Sequence, residues 1–261
     1  MIPKAYITEW SKNAPWVSNN QIEQDLIIER ALVEIFSNSE LSEQLAFRGG
    51  TALHKLFLKP QARYSEDIDL VQLQGGDIGP LLTLLREKLM FLGRANYNAS
   101  EHNAALIFRF DSEYEPVTRL KLKVEINTRE HFSVFNTLNL EHNLTSTYHS
   151  GNCMIKTFTI EELLSTKLRA LYQRKKGRDL FDLWYAYERV KLDSKKIIEA
   201  FNKYTSNENL AITSQAFIAN MEEKINDDEF TGDISGLLRP GIDYNISAAW
   251  DFVHDNIVSK I

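Results

Sequence analysis

One segment, Glu66-Asp67-Ile68-Asp69-Leu70-Val71-Gln72, constrains the fold of this chain more than any other. Successive side chains along a strand point to opposite faces. As a strand, the segment sets Asp67 and Asp69 together on one face and sends Ile68 and Leu70 into a core on the other. A second run, Leu120-Lys121-Leu122-Lys123-Val124-Glu125-Ile126, alternates in the same way, with apolar residues at every even position. Its other face carries Lys121, Lys123 and Glu125. Were the two strands neighbours, Glu125 would join the aspartates. The pattern calls for a sheet with one buried face and one face that concentrates charge.

The rest of the pattern supplies layers for that sheet. Apolar residues recur at helical spacing over residues 21–36, among them Ile22, Leu26, Leu32 and Ile35. Residues 45–48 read as a short strand that breaks at Gly49-Gly50, and residues 51–57 as a helix. An amphipathic helix is expected over 78–92. Strands are expected over 104–110 and 120–126, joined by a turn that carries Asp111, Ser112 and Pro116. From Thr159 onward the patterns are helical, over 159–171, 178–189, 194–204, 211–225 and 248–258. Thr159 followed three residues later by Glu162 is a capping-box signature. The expected organisation is an α+β domain over residues 1–158 and a helical domain over 159–261, with no Pro- or Gly-rich linker between them.

Charge and composition remove several classes. A surface whose main task is gripping nucleic acid is usually basic, whereas this chain carries a net charge of -6. Any RNA contact would be local, and one run offers it: Lys167, Arg169, Arg174, Lys175, Lys176 and Arg178. The same run also reads as a solvated helix end. No apolar stretch approaches the roughly 18 residues of a membrane span, so no membrane is expected as a partner. The N-terminal residues lack the apolar centre of a secretory signal. The single cysteine, Cys153, excludes an internal disulfide. A cytoplasmic protein is the expectation.

The acidic face has a chemical consequence. Three carboxylates about 6 Å apart repel by about 3 kcal/mol per pair at an effective dielectric near 20. Protonation, the neighbouring lysines or a divalent cation would offset this. Mg2+ suits the pattern, because it takes hard oxygen ligands and keeps positions for water and substrate phosphates. Two such ions would activate an attacking oxygen and stabilise a leaving pyrophosphate. Gly49 and Gly50 let backbone N–H groups approach a phosphate closely. A helix beginning at Thr51 would aim its N-terminal dipole at it. Thr51 and Ser65 add hydroxyls, and Arg48, Arg63 and Lys167 are candidates to neutralise phosphate charge. Taken singly, each piece has a plainer reading: a turn for the glycines, a solvated strand edge for Asp67 and Asp69, an ion pair with Lys121 or Lys123 for Glu125.

In combination these pieces resemble a known family. A glycine pair, a helix and a strand bearing Asp-x-Asp resemble the DNA polymerase β nucleotidyltransferase superfamily, although the spacing from Gly50 to Asp67 is longer than in its short form. The fuller string, Phe47-Arg48-Gly49-Gly50-Thr51-Ala52-Leu53 followed by Arg63-Tyr64-Ser65-Glu66-Asp67-Ile68-Asp69-Leu70, resembles the AbiEii/AbiGii toxin family, close to the MenT-type toxins. Lys167 in a leucine-rich helix, followed by Arg178-Asp179-Leu180-Phe181-Asp182, resembles that family's lysine helix and its Arg-Asp-x-x-Asp helix. The resemblance covers about residues 20–190.

The resemblance implies a polymerase-β-like mixed sheet with flanking helices, followed by a C-terminal helical domain. It implies an NTP substrate and Mg2+, as one or two ions, held by Asp67, Asp69 and, less directly, Glu125. Gly49, Gly50 and Ser65 would line the triphosphate pocket, to which residue chemistry adds Thr51 and Arg63. Lys167 would contact the phosphates. Asp179 would be the functional acid of the last motif, with Asp182 its rival one turn further along. Without the resemblance, Arg178, Asp179 and Asp182 read as helix capping and Lys167 as a snorkelling lysine.

The function so implied is that of a nucleotidyltransferase toxin from a bacterial toxin–antitoxin system. It would move a nucleotidyl group from an NTP to an acceptor, the 3′ end of tRNA or else a protein hydroxyl, and would have a cognate antitoxin as partner. Two other readings stay open. One is transfer to a small molecule, which the charge of -6 also suits. The other is binding of nucleotide or partner without turnover, against which stands the joint presence of Asp67, Asp69 and Lys167. His54 reads as structural, Cys153 as a small buried residue, and Phe181, Trp184, Tyr185 and Tyr187 as core packing.

Overall fold

The computed structural model describes residues 2–261. The chain divides into two compact units: residues up to Ser133 together with Thr137–Phe158, and Val134–Asn136 together with Thr159–Ile261.

The first unit contains α1 (Lys4–Trp10), α2 (Asn19–Phe36), α3 (Ser39–Gln44), β1 (Leu45–Arg48), α4 (Gly49–Ala52), β2 (Asp67–Gln72), α5 (Gly79–Lys88), β3 (Ala95–Ala99), β4 (Asn103–Asp111), β5 (Arg119–Asn127), β6 (Thr137–Thr145) and β7 (Ser150–Phe158). The strands form one mixed sheet in the order β3-β4-β5-β2-β1-β7-β6. β2 runs parallel to β5, and β1 parallel to β7. The remaining neighbours are antiparallel. The alternation in sequence becomes a two-faced sheet. Ala104, Leu106 and Phe108 stand opposite Ile126, Val124 and Leu122 on the buried face. Ile68 and Leu70 extend that face and are buried, each contributing about 2 kcal/mol of apolar burial. The helix α2 covers the face by packing on β5, β6 and β7.

Under α2 lies a buried charge cluster. The Lys55 ammonium meets Asp25 Oδ1 at 2.8 Å and Glu29 Oε1 at 2.7 Å. Trp10 Nε1 donates to Asp25 Oδ2 at 2.9 Å, Gln61 Nε2 donates to Asp25 Oδ1 at 3.1 Å, and His142 Nε2 lies 2.8 Å from Glu29 Oε2. Lys55 sits in a widened helical turn, Leu53–Phe57, that ends with Leu58 N bonded to Leu53 O at 3.1 Å. The helix expected over 51–57 therefore starts earlier, at Gly49, and relaxes to a wider turn that swings Lys55 inward.

The second unit is helical: α6 (Ile160–Gln173), α7 (Gly177–Arg189), α8 (Ser194–Asn207), α9 (Ser214–Lys224), α10 (Asp228–Gly232) and α11 (Ile246–Asn256). Thr159 caps α6 by accepting from Glu162 N at 3.3 Å. The Glu162 carboxylate, expected to complete a capping box, turns inward instead. It accepts from Val134 N at 2.9 Å, Phe135 N at 3.1 Å and Tyr204 OH at 2.8 Å, which binds Val134–Asn136 to the helices. Phe181 and Tyr185 stack at 5.4 Å with Tyr244 edge-on to Phe181, the core packing expected of that cluster.

Other elements differ from the sequence pattern. The helix expected over 78–92 stops at Lys88, and a tight turn at Met90–Leu92 leads into Gly93. α1, α3, α10, β3, β6 and β7 carry no signal in the sequence pattern. β3 is exposed along nearly its whole length and reads Ala-Asn-Tyr-Asn-Ala, so it carries no apolar alternation. It is a strand because β4 pairs with it.

Candidate active site

β2 carries both aspartates of the acidic pair. Asp67 opens it, paired in register with Lys123 of β5, and Asp69 is paired with Glu125 on one side and Arg48 of β1 on the other. Asp67 and Asp69 share the polar face, as the alternation requires. Asp67 Oδ1 is buried and has no hydrogen-bond partner among the described residues. Burial and the charges of Asp69 and Glu66 push its carboxyl up to about 6, against the pull of Lys121 and Lys123. This carboxylate is destabilised in its charged form and lacks a donor.

The glycine pair is what seats the neighbouring side chains. A Cβ on Gly49 would stand 2.1 Å from Asp69 Oδ2, and the residue has φ +79, a conformation that side chains other than glycine rarely adopt. A Cβ on Gly50 would stand 2.2 Å from an Arg63 guanidinium nitrogen. The space the glycines leave is thus taken by the Asp69 carboxylate and by Arg63. Arg63 itself is 2% exposed and donates to Tyr64 O at 3.1 Å. It packs against the glycine turn.

Thr51 and Ser65 lock the start of β2. Thr51 Oγ1 donates to Asp67 O at 2.5 Å and lies 2.7 Å from Ser65 Oγ. Since Thr51 spends its proton on the carbonyl, Ser65 is the donor in the second bond. Two further residues complete the frame. Gln24, buried on α2, donates to Glu66 O at 3.2 Å and Lys121 O at 3.0 Å, clasping β2 to β5 where their pairing begins. Glu130, also buried, holds Arg48 at 2.6 Å. No periodicity marks either one, because each acts across strands that are distant in sequence.

Glu125 stands beside Asp69 in register, yet its carboxylate closes an ion pair with Lys123 at 2.5 Å. Burial works against the Lys123 charge, but Glu125, Asp67 and Asp69 hold it protonated above the usual lysine range. Among the described residues no group of three or more acidic, histidine or cysteine side chains is arranged to hold a metal ion. The residues do fit a divalent cation as a two-carboxylate site. Asp67 and Asp69 supply hard oxygens, one of them a buried Oδ1 that lacks a partner, and such a cation takes its other ligands from water and phosphate.

In the second unit Lys167 of α6 is held from two sides. Its ammonium lies 3.0 Å from Asp179 Oδ1 and 3.0 Å from Asp182 Oδ2, both on α7 and both fully buried. Arg174 adds two bonds to Asp179, at 2.7 and 2.9 Å. Burial would raise the Asp179 carboxyl, but Lys167 and Arg174 hold it below the usual carboxylate range. Lys167 does not snorkel, and the two acids are partners in gripping it, where the sequence made them rivals.

The rest of the basic run is likewise engaged. Arg169 pairs with Glu208, Lys175 with Asp227, Lys176 with Glu229 and Asp233, and Arg178 with Asp233. Lys224 donates to Leu171 O and Tyr172 O, each at 2.6 Å. The local cationic patch expected from the sequence is therefore compensated by carboxylates of the same unit. Tyr172 packs against Phe217 at 5.4 Å, Cys153 is buried with its thiol pushed up to about 11, and His54 is buried. No helix among the described residues is long and apolar enough to cross a membrane.

Comparison with known proteins agrees with this architecture. MenT4, a nucleotidyltransferase toxin from Mycobacterium tuberculosis H37Rv, superposes with a TM-score of 0.68 at 15% identity, covering 100% of this chain and 91% of that one. JHP933 from Helicobacter pylori superposes with a TM-score of 0.53 at 15% identity, covering 94% of this chain and 96% of that one. At such identities the likeness speaks for the fold. No curated protein matches the chain. The family described as nucleotidyl transferase AbiEii toxin, type IV toxin–antitoxin system, matches residues 30–256. On that span, which takes in the glycine pair, both aspartates of β2 and the Lys167 grip, the chain belongs to the AbiEii nucleotidyl transferase toxin family.

Proposed function

We propose that this toxin transfers a nucleotidyl group from an NTP to an acceptor hydroxyl, with Asp67 and Asp69 as the centre of the reaction. The observation that carries the reading is the buried, unpartnered Oδ1 of Asp67 beside the carboxylate of Asp69. A pair of acids in this state calls for a cation, and Mg2+ held by Asp67 and Asp69 would supply charge compensation and polarise a phosphate. The acceptor oxygen bonds to the α-phosphorus as its proton passes to solvent, the bond from that phosphorus to the bridging oxygen breaks, and pyrophosphate departs. Gly49 keeps Asp69 in place. Thr51 and Ser65 keep the Asp67 backbone in place.

Lys167 is assigned to the nucleotide phosphates on the family resemblance. Asp179 then serves as a positioning residue, because an acid held ionised by two cations is a weak base, and Asp182 shares its hold on Lys167. The favoured acceptor is the 3′ end of tRNA, with a protein hydroxyl second, and a cognate antitoxin is the partner that membership in the family implies. Labelled NTP, Mg2+ and a panel of tRNA, protein and small-molecule acceptors test the proposal. Asp69→Ala is expected to abolish label transfer while its melting curve stays cooperative. A folded Asp69→Ala protein that still transfers label would defeat the reading.

A further inference from the structure

The open face of β3, β4 and β5 carries two basic residues that close no ion pair among the described residues. Arg109 of β4 stands directly opposite Lys121 of β5, and both are exposed. Like charges in direct cross-strand register destabilise a strand pair. The ion pairs on these strands run from Arg119 to Asp111 and from Lys123 to Glu125, leaving Arg109 and Lys121 without one among the described residues. The contrast with the run from Lys167 to Arg178 is direct, since each of those cations has its carboxylate.

Position gives the pair its meaning. Same-face residues along a strand are about 7 Å apart. Lys121 is one such step from Lys123, the register partner of Asp67. β2 begins at Asp67, so the Arg109–Lys121 row lies one step beyond its first residue. The face therefore presents two cations, then Asp67 beside Lys123 one step on, and Asp69 beside Glu125 a step further. Asn96 and Asn98 of β3 continue the rows of Ile107 and Ala105 with exposed amides.

We propose that this face docks the 3′ end of a single-stranded nucleic acid, with Arg109 and Lys121 gripping the phosphate that precedes the terminal sugar. This rests on the nucleotidyl-transfer reading of Asp67 and Asp69. A 3′ end matches the charge order: its terminal hydroxyls are neutral and tolerate the carboxylates, while its nearest phosphate sits about one sugar back, over the cations. An acidic peptide has no neutral terminus of that kind, and its next carboxylate would face Asp67.

The test is fluorescence anisotropy with the full chain and a 5′-labelled single-stranded RNA of mixed sequence, without NTP, over a range of salt. Arg109→Ala/Lys121→Ala is expected to weaken binding about tenfold and to lower the salt slope by about 0.7, the loss of one neutralised phosphate on a single strand. Arg109→Lys/Lys121→Arg is expected to stay within about threefold of the wild type. The same strand ending in a 3′ phosphate is expected to bind more weakly. The alanine pair removes a repulsion and should fold, and Lys121→Gln alone gives a second variant with about half the slope change. Equal affinity of wild type and the alanine pair, no RNA binding by the wild type, or binding of polyglutamate in place of RNA overturns the proposal. Because no NTP is present, RNA binding that depends on Arg109 and Lys121 in a chain that transfers nothing would defeat the transfer reading alone.

Discussion

Gly49 shows how much of the site depends on a single missing side chain. Its φ of +79 and the 2.1 Å that would separate a Cβ from Asp69 Oδ2 act together. Gly49→Ala is expected to cost about 1–2 kcal/mol through the left-handed backbone alone. It should also displace Asp69, and a shift of about 1 Å at a reacting group costs about a hundredfold in rate. Label transfer from NTP, set beside a thermal melt, checks this; a variant with normal transfer would mean that Asp69 has another seat. The pairing of Asp67 with Asp69 was legible in sequence, since alternation alone puts both on one face. The joint grip of Asp179 and Asp182 on Lys167 was only half legible. Their spacing on α7 sets both acids on one side of that helix, but nothing local shows that a lysine from α6 fills the gap between them.

Among the elements, those with a clear apolar period were legible nearly to the residue. β1, β2, β4, β5, α2, α6 and α7 lie close to where period and punctuation put them. The elements that escaped depend on neighbours. β3 has no apolar face, and β6 and β7 are defined by pairing with each other. The widened turn carrying Lys55 was equally unreadable, because Lys55 there meets buried Asp25 and part-buried Glu29. That reason gives a prediction. Lys55→Met leaves two carboxylates buried without their cation, and unfolding in urea should show a loss of roughly 3–5 kcal/mol. Acid provides the second readout. Burial opposes ionisation of Glu29, but Lys55 and His142 hold its carboxyl at about 2 in the folded chain. The unfolded value is higher, so the stabilisation is full above it and fades as pH falls towards about 2. Lys55→Met should lose that acid resistance.

For the whole molecule, the net charge of -6 hides an uneven distribution. Counting basic residues along the chain points to the run around Lys175, yet the structure shows that run already matched, while Arg109 and Lys121 are not. Lys175→Ala/Lys176→Ala should therefore leave RNA affinity within about twofold in the same anisotropy titration, since cations already paired release few counterions. A tenfold loss there would move the acceptor surface to the second unit.

The compensating acids at Asp227, Glu229 and Asp233, and the Lys224 ammonium on the last carbonyls of α6, all come from a stretch that carries no recognisable motif. They brace the bend between α6 and α7, and Gly177 leaves no room there for a side chain against Phe230 O. The angle at which Asp179 and Asp182 meet Lys167 is thus set by residues far downstream. A chain ending before them would keep every signature residue and still lack the scaffold that aligns them.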